Sequence, residues 1–149
     1  MAELHIEENF DYIYKSFRIA LYRHIFNILG KRDSSLSAAD FFSVETIHLL
    51  GSPTISEFAN MLCISQPNAT YRVKSLIEKG YIEKKRAEKG NTFRLCVTEK
   101  FHQYYHEDMG YGSLILQKLS ARLEEKELEA ADALIAKVVE EIKRDQGEL

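Results

Sequence analysis

The sequence predicts a mainly α-helical chain with one small β-hairpin, and three observations predict it. Apolar residues recur at helical spacing along most of the chain. That period gives way once, to two short strand-like runs, "YIEKKR" and "TFRLCV", around "AEKGN". Hydroxyl residues and glycines stand where helices would start and stop.

The elements follow in order. Residues 7–29 read as one long helix, with Phe10, Ile13, Tyr14, Phe17, Leu21, Ile25 and Ile28 at helical spacing and Gly30 at its end. "KRDSSLS" is a polar connector. Ser37, with Asp40 three residues on, opens a second helix whose face carries Phe41, Val44, Ile47 and Leu50, and Gly51 ends it. Thr54 and Glu57 form a capping box for a short helix with Phe58, Ala59 and Leu62 on its apolar face. After the "CIS" turn, Ser65 caps the helix "QPNATYRVKSLIEK", and Gly80 ends it. Pro67 falls in its first turn, where a missing N–H costs little.

In the hairpin, Gly90 and Asn91 tolerate the positive φ that a tight turn requires. Thr98 is the expected cap of a helical region reaching about Leu123, bent or loosened at Gly110 and Gly112. A last helix is expected from about Glu127 to Arg144, striped by Leu128, Ala131, Leu134, Ile135, Val138 and Ile142. Helix, turn, helix and then a basic hairpin is the order of a winged helix-turn-helix. Residues 37–98 are its expected extent, inside a single domain covering residues 1–149.

Length and composition narrow the function classes. The chain has 149 residues, 45% hydrophobic and 29% charged, ordinary for one globular domain with a core. The start, "MAELHIEENF", has no basic region followed by an apolar run, so no signal peptide is expected. No apolar run approaches a membrane span, so no membrane partner is expected. Cys63 and Cys96 lack metal-ligand spacing and stand in apolar company, which reads as buried thiols in a reducing cytoplasm. There is no Gly-rich phosphate loop, no Gly-x-Ser-x-Gly and no paired-carboxylate motif, so the expectation is no enzyme and no cofactor.

Charge is unevenly spread. From Ser65 to Lys100 nine lysines and arginines stand against four acids, a local charge of +5 in a chain of net charge −3. A basic centre with acidic ends is an electrostatic footprint for nucleic acid. On a helical wheel Ala69, Val73 and Leu76 define one face of the second helix of the pair, while Pro67, Thr70, Tyr71, Lys74 and Glu78 lie opposite. Ser65, Gln66 and Asn68 sit in its exposed first turn. Glutamine and asparagine pair with adenine, threonine meets a thymine methyl, and lysine reaches phosphate or guanine. A solvated amphipathic helix would also show such a face. The lysines and arginines of the hairpin, Lys84, Arg86 and Lys89 among them, favour double-stranded DNA, with Asn91 beside them at the tip.

The stretch "TISEFANMLCISQPNATYRVKSLIEKGYIEKK", the wing, and "LCVTEKF" together resemble the multiple-antibiotic-resistance regulator (MarR) family of winged-helix repressors. The resemblance spans nearly the whole chain. It implies a winged helix-turn-helix flanked by N- and C-terminal dimerisation helices, here residues 1–33 and 99–149. It also implies a homodimer acting as a cytoplasmic repressor on a pseudo-palindromic operator. Two departures stand out. Tyr71 occupies a place where the family usually has arginine, and the wing tip is "KGN" rather than an Asp-Arg-Arg-like sequence.

The resemblance further implies a response to a small aromatic ligand, for which Tyr12, Phe17, His24, Phe42, His48 and Tyr105 are the candidate pocket residues. Aromatics at helical spacing are more commonly core. His102 and His106, four apart with Glu99 one turn before, are the candidate ligands of a metal-responsive version. Surface or inter-helix histidines are the commoner reading. The alternative function is a winged-helix protein-interaction module without operator binding, for which Tyr71 and the altered wing argue.

Overall fold

A computed structural model describes residues 4–31, 35–105 and 110–147, and of residues 104 and 105 the backbone. The chain divides into two units, Met1–Met109 and Gly110–Leu149. The first holds α1 (Ile6–Leu29), α2 (Ala38–Leu49), α3 (Ile55–Met61), α4 (Gln66–Glu78), β1 (Ile82–Arg86), β2 (Phe93–Val97) and α5 (Glu99–Tyr105). The second holds α6 (Tyr111–Ser120) and α7 (Glu125–Asp145). It is a winged helix-turn-helix with helices before and after, as the element order predicts.

Local chemistry sets the helix starts. Ser37 Oγ accepts from the Asp40 N–H at 3.1 Å, and Asp40 Oδ2 accepts from the Ser37 N–H at 3.1 Å. Thr54 and Glu57 repeat the arrangement at 3.2 and 2.7 Å. Ser65 Oγ accepts from the Asn68 N–H at 3.4 Å, with the proline in the first turn of α4. These bonds satisfy backbone donors that a helix start leaves without an intrahelical partner. Thr98 stands just before α5, its carbonyl accepting from the His102 N–H at 3.3 Å, and its hydroxyl donates to the carbonyl of Gly80 at 2.6 Å, tying the start of α5 to the end of α4. Gly80 itself lies at φ +81°, the left-handed turn that takes the chain out of α4 towards β1.

Asp40 does more than close its cap. Lys79 Nζ donates to its Oδ2 at 2.7 Å, joining the start of α2 to the end of α4. Burial pushes this carboxyl up, but the bonds from Lys79 and Ser37 outweigh it and hold it below the usual carboxylate range. A depressed folded value adds stability above the unfolded pKa, lost as pH falls through the folded value. Asp40→Asn should therefore cost about 1 kcal/mol at neutral pH, with the difference closing below about pH 4. Urea unfolding of parent and variant at pH 7 and pH 3 measures this; a gap unchanged in acid would contradict it.

The core lies where the helix-turn-helix meets the wing. Phe41, Val44 and Ile47 of α2, Phe58 of α3, Ala69, Val73 and Leu76 of α4, and Tyr81, Ile82, Leu95 and Phe101 are all buried. Helical spacing is what aligns each set on one face. Leu50 departs from its expected place on the α2 face: it follows the helix as its C-cap and is exposed. The strands pair antiparallel from Ile82 opposite Val97 to Arg86 opposite Phe93. Pro53 adds a carbonyl to the outer edge of β2, accepting from the Leu95 N–H at 2.8 Å. Gly90 takes positive φ at the tip; Asn91, expected to share it, does not.

Cys63 is exposed and Cys96 partly buried, so the expectation of two buried thiols fails for the first. The reason is backbone geometry. Cys63 sits at φ +53°, and its apolar neighbours Leu62 and Ile64 take the places against the core.

Helix α1 is buried near its C-terminal end, at His24, Ile25 and Ile28. Phe10, Tyr12, Ile13, Tyr14 and Phe17 are exposed. The helix expected to reach Leu123 is described as α5 in the first unit and α6 in the second, and residues 106–109 lie outside the described residues. Helix α7 starts two residues earlier than expected, with the Glu127 carboxylate accepting from the Glu124 N–H at 2.8 Å. Its Leu134, Ile135, Val138 and Ile142 are exposed. Among the described residues no helix is long and apolar enough to cross a membrane.

Candidate nucleic-acid interface

Helix α4 presents its core face inward through Ala69, Val73 and Leu76, as the wheel requires. Ser65, Gln66, Pro67, Asn68, Thr70, Tyr71 and Lys74 are all exposed. Tyr71 is 77% exposed. Arg72, one position on, is partly buried and projects about 100° away.

Two side chains of this helix are already engaged. Ser56 of α3 donates to Gln66 Oε1 at 3.2 Å, which turns that amide towards the first helix of the pair. Thr70 Oγ1 donates to the Gln66 carbonyl at 2.9 Å, one helical turn back. Sequence reading found both residues but neither bond. The Ser56–Gln66 contact spans ten residues and two helices, so no local pattern announces it.

The basic count of +5 overstates what the site offers a partner. Asp40 and Glu57, outside the counted segment, pair with Lys79 at 2.7 Å and Arg94 at 3.2 Å, while Lys85 pairs at 2.9 Å with Glu83, which the count already subtracts. Glu83 raises the Lys85 ammonium above its ordinary value by hydrogen bonding to it. Glu57 is held below the usual carboxylate range, first by the Thr54 N–H and, against the opposing effect of burial, by the charge of Arg94. Lys100 Nζ donates to the Lys79 carbonyl at 2.7 Å and lies 4.5 Å from the centre of the Tyr81 ring. Its ammonium is thus used to hold the end of α4.

Lys74 on the helix and Lys84, Arg86 and Lys89 on the wing remain as an exposed basic set. Arg86 donates to the Asn91 amide oxygen across the hairpin, which fixes the guanidinium against the wing tip. The helix face and this basic ribbon follow one another directly in the chain. Such a surface can place side chains in a groove while cations meet phosphates beside it.

The expected ligand-pocket residues come from α1, α2 and α5. Tyr12 and Phe17 are exposed on α1, and Phe42 and His48 are exposed on α2. His24 is buried, beside a buried Glu45 whose carboxyl is pushed up by burial against the opposing charge of His24. Clefts along α1 of about 550 and 360 Å³ are lined by Ile6, Phe10 and Tyr14, and by Ile19, Tyr22 and Phe26, not by the expected set. The side chain of Tyr105 lies outside those described. For the metal reading, His106 lies outside the described residues, and the His102 ring packs 5.6 Å from that of His48 in an edge-on arrangement. Among the described residues no group of three or more potential ligands gathers.

The MarR family model matches residues 36–89. No curated protein sequence matches the chain. Among solved structures, Streptococcus pneumoniae FabT, determined in complex with DNA, aligns over 93% of this chain and 97% of its own. Its TM-score is 0.56, with 19% identity. A transcriptional regulator of Thermotoga maritima covers the same shares with a TM-score of 0.57 and 17% identity. A MarR-like transcriptional regulator of that organism covers 95% of this chain and 99% of its own, with a TM-score of 0.52 and 18% identity. At these identities the likeness is one of fold.

Proposed function

We propose that the chain, whose residues 36–89 match the MarR family model, is a DNA-binding transcriptional regulator. One observation carries the reading: the exposed face of α4, with Lys74 on it, is followed directly by three exposed cations on the wing, Lys84, Arg86 and Lys89. The recognition helix enters the major groove, and the wing meets the phosphate backbone. The DNA-bound FabT fold is consistent with this.

Affinity for a random-sequence duplex should fall about a hundred-fold or more between 50 and 200 mM salt, since each neutralised phosphate releases counterions. Fluorescence anisotropy across that range tests it. No binding at low salt would end the DNA reading.

The finer proposal is a cytoplasmic homodimer that represses from a pseudo-palindromic operator. The regions at residues 1–33 and 99–149 would pair with those of a second copy. Exposed Phe10, Tyr14 and Phe17 on α1 and Leu134, Ile135 and Val138 on α7 support it. Apolar patches of this kind mark association surfaces. Light scattering should give twice the 17.2 kDa of one chain. Release by a small aromatic ligand is part of the same proposal, supported by the exposed rings of Tyr12, Phe17 and Phe42.

A further inference from the structure

The exposed face of α4 is unusual at its centre. Pro67, Thr70, Tyr71 and Lys74 stand at i, i+3, i+4 and i+7, one stripe of a helix. All are exposed, and Tyr71 is 77% exposed. Thr70 uses its hydroxyl proton on the Gln66 carbonyl at 2.9 Å, so it keeps no donor for a base edge, and its methyl group is its apolar contribution to the stripe. The middle of the stripe is therefore a proline ring, a methyl and a phenol ring.

Cations lie at its margins. Lys74 closes the stripe on α4, and Lys84, Arg86 and Lys89 follow on the wing. Arg72 is partly buried and turned away. The guanidinium that reads guanine O6 and N7 is thus missing from the centre of the face. The amide oxygen that Gln66 would use on an adenine amino group accepts from Ser56 at 3.2 Å instead. In the major groove the one apolar feature on a base edge is the thymine 5-methyl group.

We propose that α4 reads thymine 5-methyl groups, with Tyr71 as the specificity-determining residue and the Thr70 methyl packed beside it. This rests on the DNA-binding reading above. The flanking cations give phosphate affinity without sequence preference, and the apolar centre supplies the discrimination. Each methyl removed from such a contact should weaken binding about four-fold.

The test begins with selection from a random duplex pool by the full chain. The enriched duplex is then made twice, once with thymine and once with uracil, which lacks only the methyl. The parent should bind the uracil duplex at least roughly four-fold more weakly, with an unchanged salt slope. Tyr71→Phe should keep this discrimination. Tyr71→Ala should bind both duplexes alike, at the parent's affinity for uracil DNA, while its thermal unfolding stays that of the parent because the ring is exposed. Equal parental affinity for both duplexes, with salt-sensitive binding retained, overturns the methyl reading and leaves DNA binding standing. Full discrimination by Tyr71→Ala overturns the role of Tyr71. No enrichment and no duplex binding at low salt overturns both.

Discussion

The chain carrying Lys74→Ala, Lys84→Ala, Arg86→Ala and Lys89→Ala should bind duplex DNA at least a hundred-fold more weakly than the parent at about 0.1 M salt. Each of these residues is exposed, and together they form the cationic margin of the proposed interface. Every lost phosphate contact removes about 0.9 from the slope of log affinity against log salt, so the slope should flatten by about 3 to 4 per chain. Thermal stability should barely change, since exposed lysines hold little of the fold together.

A control separates local from global charge. Lys85→Ala with Arg94→Ala removes two charges already paired with Glu83 and Glu57. Its effect on DNA should be much the smaller one. Anisotropy titrations of both variants at several salt concentrations decide. Equal losses from the two would show that net charge, not placement, governs binding.

The second large effect is on stability. Phe41→Ala should cost about 3–5 kcal/mol, a large part of the 5–15 kcal/mol that holds a typical domain together. Phe41 is fully buried. Its ring lies 5.5 Å from that of Phe101 and 6.3 Å from that of Phe42, tilted to the first and edge-on to the second. It therefore joins α2 to α5, and truncation leaves a cavity that the surrounding helices only partly close. Urea unfolding followed by circular dichroism measures the loss. A cost below about 1 kcal/mol would mean that the site collapses onto the gap, contrary to the packing described.

What the sequence made legible was local. The caps at Ser37, Thr54 and Ser65 are bonds between residues three apart, so spacing alone announces them. The inward face of α4 follows from the period of the helix. What escaped was set by distance along the chain or by one dihedral angle. Asp40 and Lys79 are 39 residues apart, and Glu57 and Arg94 are 37 apart. Counting charges could not reveal that these cations were already neutralised. Cys63 looked buried because its neighbours are apolar, and only its left-handed φ puts it outside. The aromatic stripe of α1 was visible, but period tells which residues share a face and not what covers it. Among the site residues, exposure of Tyr71 and Lys74 was readable from the wheel. The engagement of Gln66 by Ser56 was not.

Both ends of α4 are tied. Ser65 and Ser56 hold the first turn, while Lys100 and Thr98 donate to the Lys79 and Gly80 carbonyls just beyond the last turn. The start of α5 and the end of α4 are therefore coupled like a lever and its pivot. A tilt imposed on α5 must carry α4 with it or break two hydrogen bonds. Under the proposed function, the helix placed in the groove inherits its aim from a segment outside the helix-turn-helix.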